Sequence, residues 1–434
     1  MKWPTFAIGD LCLTTRQRDP RRKPEETFVY IDISTIDKDA KSIISPPIIT
    51  GAEAPSRARK EVCAGDVLVS TVRPNLNAVT IVPPELEGQI ASTGFCVLRA
   101  NPKILDKRYL FYRTCTQEFI NHLTAGMRGA NYPAVSDEDV RSAPIPLPPL
   151  SEQRRVVEIL DQADALRKKR VEADAKAERI LPALFYKMFG DPATNPKGWK
   201  TIALENVIRS GLQNGLYKPA SSYGDGVRIL RIDSFYGGRI IGLDALKKLR
   251  LDESEIEKYG LKTGDVVINR VNSEEFLGKS AIIPKLEAPV VFESNMMRFS
   301  VDEEIVNPVF VIEHLQTPFT RREMLAKTKR AVNQASINQQ DVKSLTLLLP
   351  PPDMQSRFAD MVAGIESWLE AQLSRADRID VIFNTLLRRA FAGSLTAKWR
   401  EKHMKQLLIE MNEQEKALKL GHTHYSKQQL SLYS

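Results

Sequence analysis

The sequence predicts an α+β protein in which two similar mixed α/β domains are separated by two long helices that form an antiparallel coiled-coil pair. Three observations support this prediction. The second half of the 434-residue chain repeats the first, each half begins with short β-rich runs, and each half then passes through a proline run into a long stripe of apolar residues with helical spacing.

The internal repeat has a period of about 200 residues, and the offset between matching residues only rises along the chain. A duplicated unit with a few small insertions produces such an offset, whereas chance matches would scatter. The matched pairs include Trp3 with Trp199, Phe119 with Phe319, Arg128 with Arg330, Gln153 with Gln355, and Phe189 with Phe391. A period of this length indicates tandem domains and not a solenoid of short units.

The repeat divides the chain into five segments. We expect a first mixed domain over residues 1–148, a first long helix over 149–190, a second mixed domain over 191–350, a second long helix over 351–398, and a C-terminal extension over 399–434. The extension contains apolar residues that suggest one more amphipathic helix.

Each mixed domain combines short strands with one short helical stretch. The β-rich runs are bounded by proline and glycine turns, as expected of strands. The predicted strands are residues 28–33 and 66–72 in the first domain and 227–232 and 265–268 in the second, with helical stretches at 107–123 and 308–326.

Both long helices follow segments that cannot be helical, because consecutive prolines remove backbone donors and favour extended conformations. Pro182 lies inside the first stripe and predicts an interruption after Arg179. The alternative is that each helix packs only on its own domain, but two similar stripes of equal length favour a helix pair. The residues predicted at the helix-pair or partner interface are Leu160, Leu181, Leu184, Ile365, Trp368, Phe383 and Leu386.

Composition and charge exclude several classes of protein. No apolar run approaches the length of a membrane span and no secretory signal is visible, so we expect a cytoplasmic protein without a membrane partner. The four cysteines form no Cys-x-x-Cys pair, which predicts reduced, mostly buried thiols and no metal site. The formal net charge of +8 is spread evenly over the chain, so it permits a nucleic-acid partner without requiring one.

Catalytic motifs are absent from the sequence. An amino-methyltransferase would need an Asn/Asp-Pro-Pro-Tyr/Phe motif, and none of the double prolines has those flanks. The segment 276–280 is similar to the end of a phosphate-binding loop, but Ser273 replaces its first glycine. The sequence therefore predicts a protein that is not an enzyme.

Three segments resemble the specificity subunits of type I restriction-modification systems. They are the run Leu-Pro-Pro-Leu-Ser-Glu-Gln-Arg from Leu147 to Arg154, and the helix ends at residues 185–192 and 387–396. The resemblance covers residues 1 to about 400, although Met354 stands where the second repeat would have the glutamate matching Glu152.

The resemblance implies that each mixed domain is a target-recognition domain for one half of a split DNA sequence. Because the two repeats differ, the two half-sites should differ as well. The implied partners are double-stranded DNA, two methylation subunits and two restriction or translocating subunits. The chain itself would bind no cofactor, and S-adenosylmethionine would belong to the methylation subunits.

Candidate DNA contacts are matched loops that supply arginine for guanine and amide side chains for adenine. The basic run from Arg321 to Arg330 could add phosphate contacts, or it could be a solvated helix face. The candidates are Arg73, Asn75, Arg128, Asn131 and Tyr132 in the first domain, and Arg270, Asn272, Arg330, Asn333, Gln334 and Ser336 in the second.

The sequence is also compatible with a second function. The chain could be a coiled-coil scaffold that assembles enzyme subunits without reading DNA. Duplex binding that weakens steeply with salt would distinguish the DNA-reading function from the scaffold.

Overall fold

The computed structural model describes residues 3–128, 133–331 and 334–430, apart from the side chains of residues 331, 370–377 and 419–430. The chain forms two compact units. Unit 1 comprises Met1–Val171 and Ser374–Ser434, and unit 2 comprises Glu172–Leu373.

Unit 1 begins with eleven short strands, followed by three short helices, a further strand and a long helix. The strands are β1 (Thr5–Ala7), β2 (Cys12–Leu13), β3 (Thr27–Ile31), β4 (Ile36–Asp37), β5 (Ser42–Ile43), β6 (Ile48–Thr50), β7 (Ala58–Glu61), β8 (Val67–Ser70), β9 (Val79–Ile81), β10 (Ile90–Ser92) and β11 (Phe95–Ala100). The later elements are α1 (Lys107–Thr114), α2 (Gln117–Ala125), α3 (Asp137–Arg141), β12 (Pro144–Pro146) and α4 (Leu150–Ala177), which continues into unit 2.

Unit 2 has a similar but not identical order of elements. It contains α5 (Ile180–Phe189), β13 (Lys200–Ala203), β14 (Ile208–Asn214), β15 (Tyr223–Leu230), β16 (Phe235–Tyr236), β17 (Gly238–Ile240), β18 (Lys248–Leu249), α6 (Glu253–Tyr259), β19 (Val266–Asn269), β20 (Val271–Asn272), β21 (Ser280–Ile282), β22 (Val290–Phe292), β23 (Met296–Val301), α7 (Pro308–Leu315), α8 (Pro318–Ala326), β24 (Lys329–Ala331), β25 (Gln334–Ser336), α9 (Gln339–Lys343) and β26 (Thr346–Leu349). Two long helices follow, α10 (Pro352–Phe391), which runs from unit 2 into unit 1, and α11 (Ala397–Leu430) in unit 1.

The central strand pairs of the two units correspond, although the sheets differ in their number of strands. In unit 1, β8 pairs with β11 in a four-stranded sheet of order β2-β11-β8-β9, and β3 pairs in parallel with β10 in a second sheet of order β6-β3-β10-β7. In unit 2 the matching pairs are β19 with β23 and, in parallel, β15 with β22. The first strand of each unit pairs with the last, β1 with β12 and β13 with β26. The duplication inferred from sequence is therefore a duplication of the fold.

Several element boundaries differ from the expected ones. Each predicted helical stretch is two helices. The first helix of each stretch ends at Thr114 or Leu315, and the hydroxyl oxygen of Thr116 or Thr317 then caps the second helix. The second long helix ends at Phe391 and not near residue 398. The first long helix stops at Ala177 and resumes at Ile180, which agrees with the predicted interruption at Pro182.

The long helices run antiparallel to one another within each unit. In unit 1, Arg167 on α4 donates to Asp380 Oδ1 on α10 at 2.7 Å, and its guanidinium lies 4.5 Å from the centre of the Phe383 ring. Leu160 lies about two turns before Arg167 on α4, and it shares a core with Leu387, which lies about one turn after Phe383 on α10. In unit 2, Phe185 on α5 packs against Phe358 near the start of α10.

Six of the seven predicted interface residues pack in the cores. Leu160, Leu181 and Phe383 are buried, and Leu184, Ile365 and Leu386 are half-buried against the same cores. Trp368 differs, because its side chain is 49% exposed. It is not a core residue of unit 2, and its place at a partner interface stays a prediction.

A buried glutamine fixes the start of each long helix. The Gln153 amide accepts from Asp106 N at 2.8 Å and donates to Ile104 O and Pro148 O at 2.9 and 2.8 Å. The Gln355 amide accepts from Asn307 N and donates to Pro350 O, both at 2.8 Å. The glutamine that the two repeats share therefore ties each proline run to the helix that follows it.

Glu152 forms a buried ion pair in unit 1. The matching position in unit 2 is Met354, which cannot form one. Arg400 on α11 donates to Glu152 Oε1 at 2.7 Å, with side-chain exposures of 7% and 1%. Thr396 also donates to Glu152, and the Arg400 guanidinium lies 4.6 Å from the Trp3 ring. The C-terminal extension is thus a structural part of unit 1.

The cysteines are unpaired, as the sequence indicated. Cys12 and Cys96 are buried, and burial raises the pKa of each of these thiols to about 12. Cys63 and Cys115 are half-buried. Within the described ranges, no helix has the length and apolar character needed to cross a membrane.

Candidate nucleic-acid interface

Three segments of unit 1 are connected by isolated antiparallel bridge pairs and are here called ribbon 1. Val72 and Arg128 each pair with Ala134. Arg128 and Ala134 exchange backbone hydrogen bonds of 3.0 Å in both directions, and Arg73 N donates to Pro133 O at 2.8 Å. Ribbon 1 therefore brings together two loops, at Arg73 and Arg128, that lie more than fifty residues apart in the sequence.

The turn that carries Arg73 and Asn75 is held in one conformation. Arg73 and Asn77 both have φ of 48°, in the left-handed region that residues with a Cβ rarely adopt. Asn77 is buried, donates to Thr114 O at 2.8 Å, and accepts from Lys41 Nζ at 2.7 Å. Such backbone strain persists only where the surroundings impose it. The exposed side chains of Arg73 and Asn75 are therefore presented by a fixed turn.

Unit 2 has the matching ribbon, here called ribbon 2, which consists of β20, β25 and β24 in that order. Val271 pairs with Ser336, and Ala335 pairs with Asn272 on one side and Arg330 on the other. Both ribbons are antiparallel, and the major groove of B-DNA admits a two-stranded β-ribbon such as the pair β24 and β25.

The predicted residues of ribbon 2 fall into two groups. Arg330 and Gln334 are exposed, and Ser336 is half-buried. Arg270 donates to Ser294 O at 3.2 Å, so its guanidinium is engaged within unit 2. Asn272 accepts from the next backbone N–H at 2.8 Å. We therefore rank Arg330 and Gln334 above Arg270 and Asn272 as base contacts. Asn131, Tyr132 and Asn333 lie outside the described residues.

Part of the predicted basic run serves the structure of unit 2. Arg321 donates to Glu274 O and Glu275 O at 2.9 and 2.7 Å, and Lys327 donates to Ser344 O and Oγ at 3.1 and 2.8 Å. These two cations satisfy carbonyl groups. The exposed cations on ribbon 2 itself, at Lys329 and Arg330, are better placed to meet a ligand.

An acidic loop that was not among the predicted contacts lies beside ribbon 2. Residues 273–279 connect β20 to β21, and Glu274 and Glu275 in this loop are exposed. Arg330 Nε donates to Glu274 Oε1. The predicted contacts were arginine and amide side chains, so Glu274 was not among them. Carboxylates can also read a base, because they accept a hydrogen bond from the amino group of cytosine.

The chain is similar to specificity subunits of type I restriction-modification systems. Residues 1–175 match the family model described as the type I restriction modification DNA specificity domain. The chain is 26% identical over 324 residues to the EcoKI specificity subunit of Escherichia coli K12, a match that covers 70% of this chain and 69% of that protein. It is 25% identical over 327 residues to the MjaVIII specificity subunit of Methanocaldococcus jannaschii, covering 71% and 75% of the two chains.

Solved structures show the same similarity over most of the chain. A chain from work on complex assembly and conformational transition of the type I R-M system has a TM-score of 0.59 and 29% identity, covering 91% of this chain and 98% of that one. The type I S subunit of M. genitalium has a TM-score of 0.51 and 13% identity, covering 90% and 96%. At that identity the second likeness bears on the fold alone.

Proposed function

We propose that this chain, a member of the family of type I restriction-modification specificity subunits, is noncatalytic and binds double-stranded DNA in a sequence-specific manner. The observation that carries the proposal is the occurrence of one ribbon in each unit, with an exposed arginine at matched positions, Arg128 and Arg330.

The chemistry of the ribbons suits base recognition. A guanidinium can donate two hydrogen bonds to O6 and N7 of guanine, and an amide such as that of Gln334 can bond N6 and N7 of adenine. Ribbon 1 supplies Arg73, Asn75 and Arg128, whereas ribbon 2 supplies Arg330 and Gln334. Because these sets differ, the target is bipartite and asymmetric, with a different half-site for each unit.

The long helices suit a second task, the assembly of the enzyme subunits. Both α4 and α10 contribute to both units, so they are the elements through which the spacing of the half-sites would be set. Two methylation subunits and two restriction or translocating subunits are the partners of this proposal. S-adenosylmethionine and methyl transfer would belong to the methylation subunits, and Trp368 on α10 is a candidate contact for such a partner.

Salt-dependent duplex binding tests the proposal against a scaffold function. The chain, purified with its methylation subunit, is mixed with fragmented genomic duplexes, and the retained fraction is sequenced. We expect a bipartite motif whose affinity falls by about 1,000-fold or more between 50 and 200 mM salt, as for proteins that contact several phosphates. A scaffold would retain no motif and would show no preference among duplexes, and that result would contradict the proposal.

A further inference from the structure

Glu274 and Arg330 are in contact and together could recognise one base pair, provided that ribbon 2 binds DNA as proposed above. The two side chains are 50% and 71% exposed, and they bring an acceptor and several donors together at the surface of unit 2. The arginine lies on β24, and the glutamate lies in the loop that follows β20.

The backbone that carries Glu274 is held from several sides. Arg321 donates to Glu274 O and Glu275 O, and Phe276 N and Leu277 N both donate to Ser273 O at 3.0 Å. Leu277 is buried, which anchors the far side of the loop in the core of unit 2.

Near its end, the same loop passes close to Met324 at a glycine whose backbone is in the left-handed region. Gly278 has φ of +73°, and a Cβ at this position would lie 2.2 Å from Met324 Sδ. The next residue, Lys279, donates to Ile232 O at 2.8 Å, and its ammonium lies 3.7 Å from the centre of the Tyr236 ring. The loop therefore presents the Glu274 side chain from a fixed backbone.

The ion pair between Glu274 and Arg330 contributes little to the stability of unit 2, because both side chains are exposed. An exposed pair between flexible side chains stabilises a fold only weakly, because water screens the charges and both side chains lose conformational freedom. On a surface that meets phosphates, a carboxylate also repels the ligand at long range, because both carry negative charge. Glu274 is therefore costly for DNA binding unless it makes a direct hydrogen bond to a base.

The hydrogen-bond pattern of the pair matches one base pair. Across the major groove, a G·C pair presents N7 and O6 of guanine as acceptors and then N4 of cytosine as a donor. Arg330 contacts Glu274 through Nε, so its two terminal nitrogens can donate to N7 and O6. The second carboxylate oxygen of Glu274 can then accept from N4.

We propose that Arg330 and Glu274 act as a single reader of one G·C pair in the half-site bound by unit 2, with the arginine on guanine and the glutamate on cytosine. An A·T pair presents an acceptor and then a donor from adenine, so a second arginine nitrogen would face a donor. The reversed C·G pair presents the same groups in the opposite order. The pair therefore selects both base identity and strand orientation.

The first repeat lacks this combination. Its loop at the corresponding place, residues 73–77, contains no acidic residue, although ribbon 1 does carry the matching Arg128. The glutamate is thus a specific feature of the second repeat, and it gives a physical reason for the two half-sites to differ.

The experiment measures base preference by using the chain assembled with its methylation subunit and a duplex library in which the bound half-site is randomised. E274A and R330A are compared with the parent chain and with E275A, whose exposed carboxylate is the matched control. We expect E274A and R330A each to reduce the preference for G·C by about 10-fold at one and the same base pair. E275A is expected to leave every preference unchanged.

Two results would overturn this proposal. E274A could raise affinity for all duplexes equally with the base preferences intact, which would make Glu274 only a counter-charge for Arg330. The two variants could also alter different base pairs, or none. In both cases the parent chain would still select a bipartite motif, so these results are distinct from failure of the proposed function, in which the parent chain itself selects no motif.

Discussion

Replacing Arg400 by Ala is expected to destabilise unit 1 by about 3–5 kcal/mol, because it leaves the Glu152 carboxylate buried without its ionic partner. The same change removes the hydrogen bond from Arg400 Nη2 to Gly393 O, 2.6 Å long, and the contact with the Trp3 ring. This side chain thus links α11 to the start of α4 through a buried ion pair. Urea unfolding followed by peptide-resolved hydrogen exchange measures the two units separately.

The second repeat suggests the control for this prediction. Met354 stands at the position that matches Glu152, so the polar cluster can be replaced by apolar residues in the triple variant E152M, T396V and R400M. Replacing a buried ion pair by apolar side chains of similar volume is often neutral or stabilising. We expect the triple variant to recover most of the loss. An R400A protein as stable as the parent chain would contradict the role assigned to α11.

Replacing Phe185 by Ala is expected to destabilise unit 2 by about 3–5 kcal/mol, the usual cost of removing a large buried aromatic side chain. The ring is 1% exposed and lies 5.2, 5.7 and 5.9 Å from the ring centres of Phe189, Phe310 and Phe358. It joins the end of the first long helix, a helix of the mixed domain and the start of the second long helix. The loss should therefore loosen the helix pair in unit 2.

F185L is the matched variant, because Leu refills much of the space that Ala leaves empty. We expect the urea midpoint of unit 2 to fall less in F185L than in F185A, while unit 1 stays unchanged in both. Equal midpoints for F185A and the parent chain would show that the aromatic cluster does not hold the helix pair together.

The sequence was sufficient to predict the duplicated fold because its signals are local or regularly spaced. Proline runs end extended segments, apolar stripes mark helices, and Pro182 marks an interruption. Matched residues such as Gln153 and Gln355 then proved to make matched hydrogen bonds in the two units.

Contacts between distant residues were beyond the reach of the sequence. The role of Glu152 was obscure because its partner, Arg400, lies in the C-terminal extension, and no periodic pattern connects the two. Glu274 was passed over for a similar reason, since its proximity to Arg330 depends on the pairing of β20, β25 and β24. The prediction of one helix at 107–123 failed because a threonine cap is a weak signal within an apolar stretch.

We have proposed that each unit reads its own half of a bipartite DNA target. The most direct test maps the methylated sites in the genome of a host that expresses this chain with its methylation subunit. Paired variants, R73A with R128A in ribbon 1 and R330A with Q334A in ribbon 2, are mapped beside the parent chain. If this proposal holds, the parent chain directs methylation to two half-sites at a fixed spacing. Each paired variant then alters base requirements in one half-site and leaves the other half-site and the spacing intact. Base requirements altered in the same half-site by both variants, or unaltered by either, would contradict it.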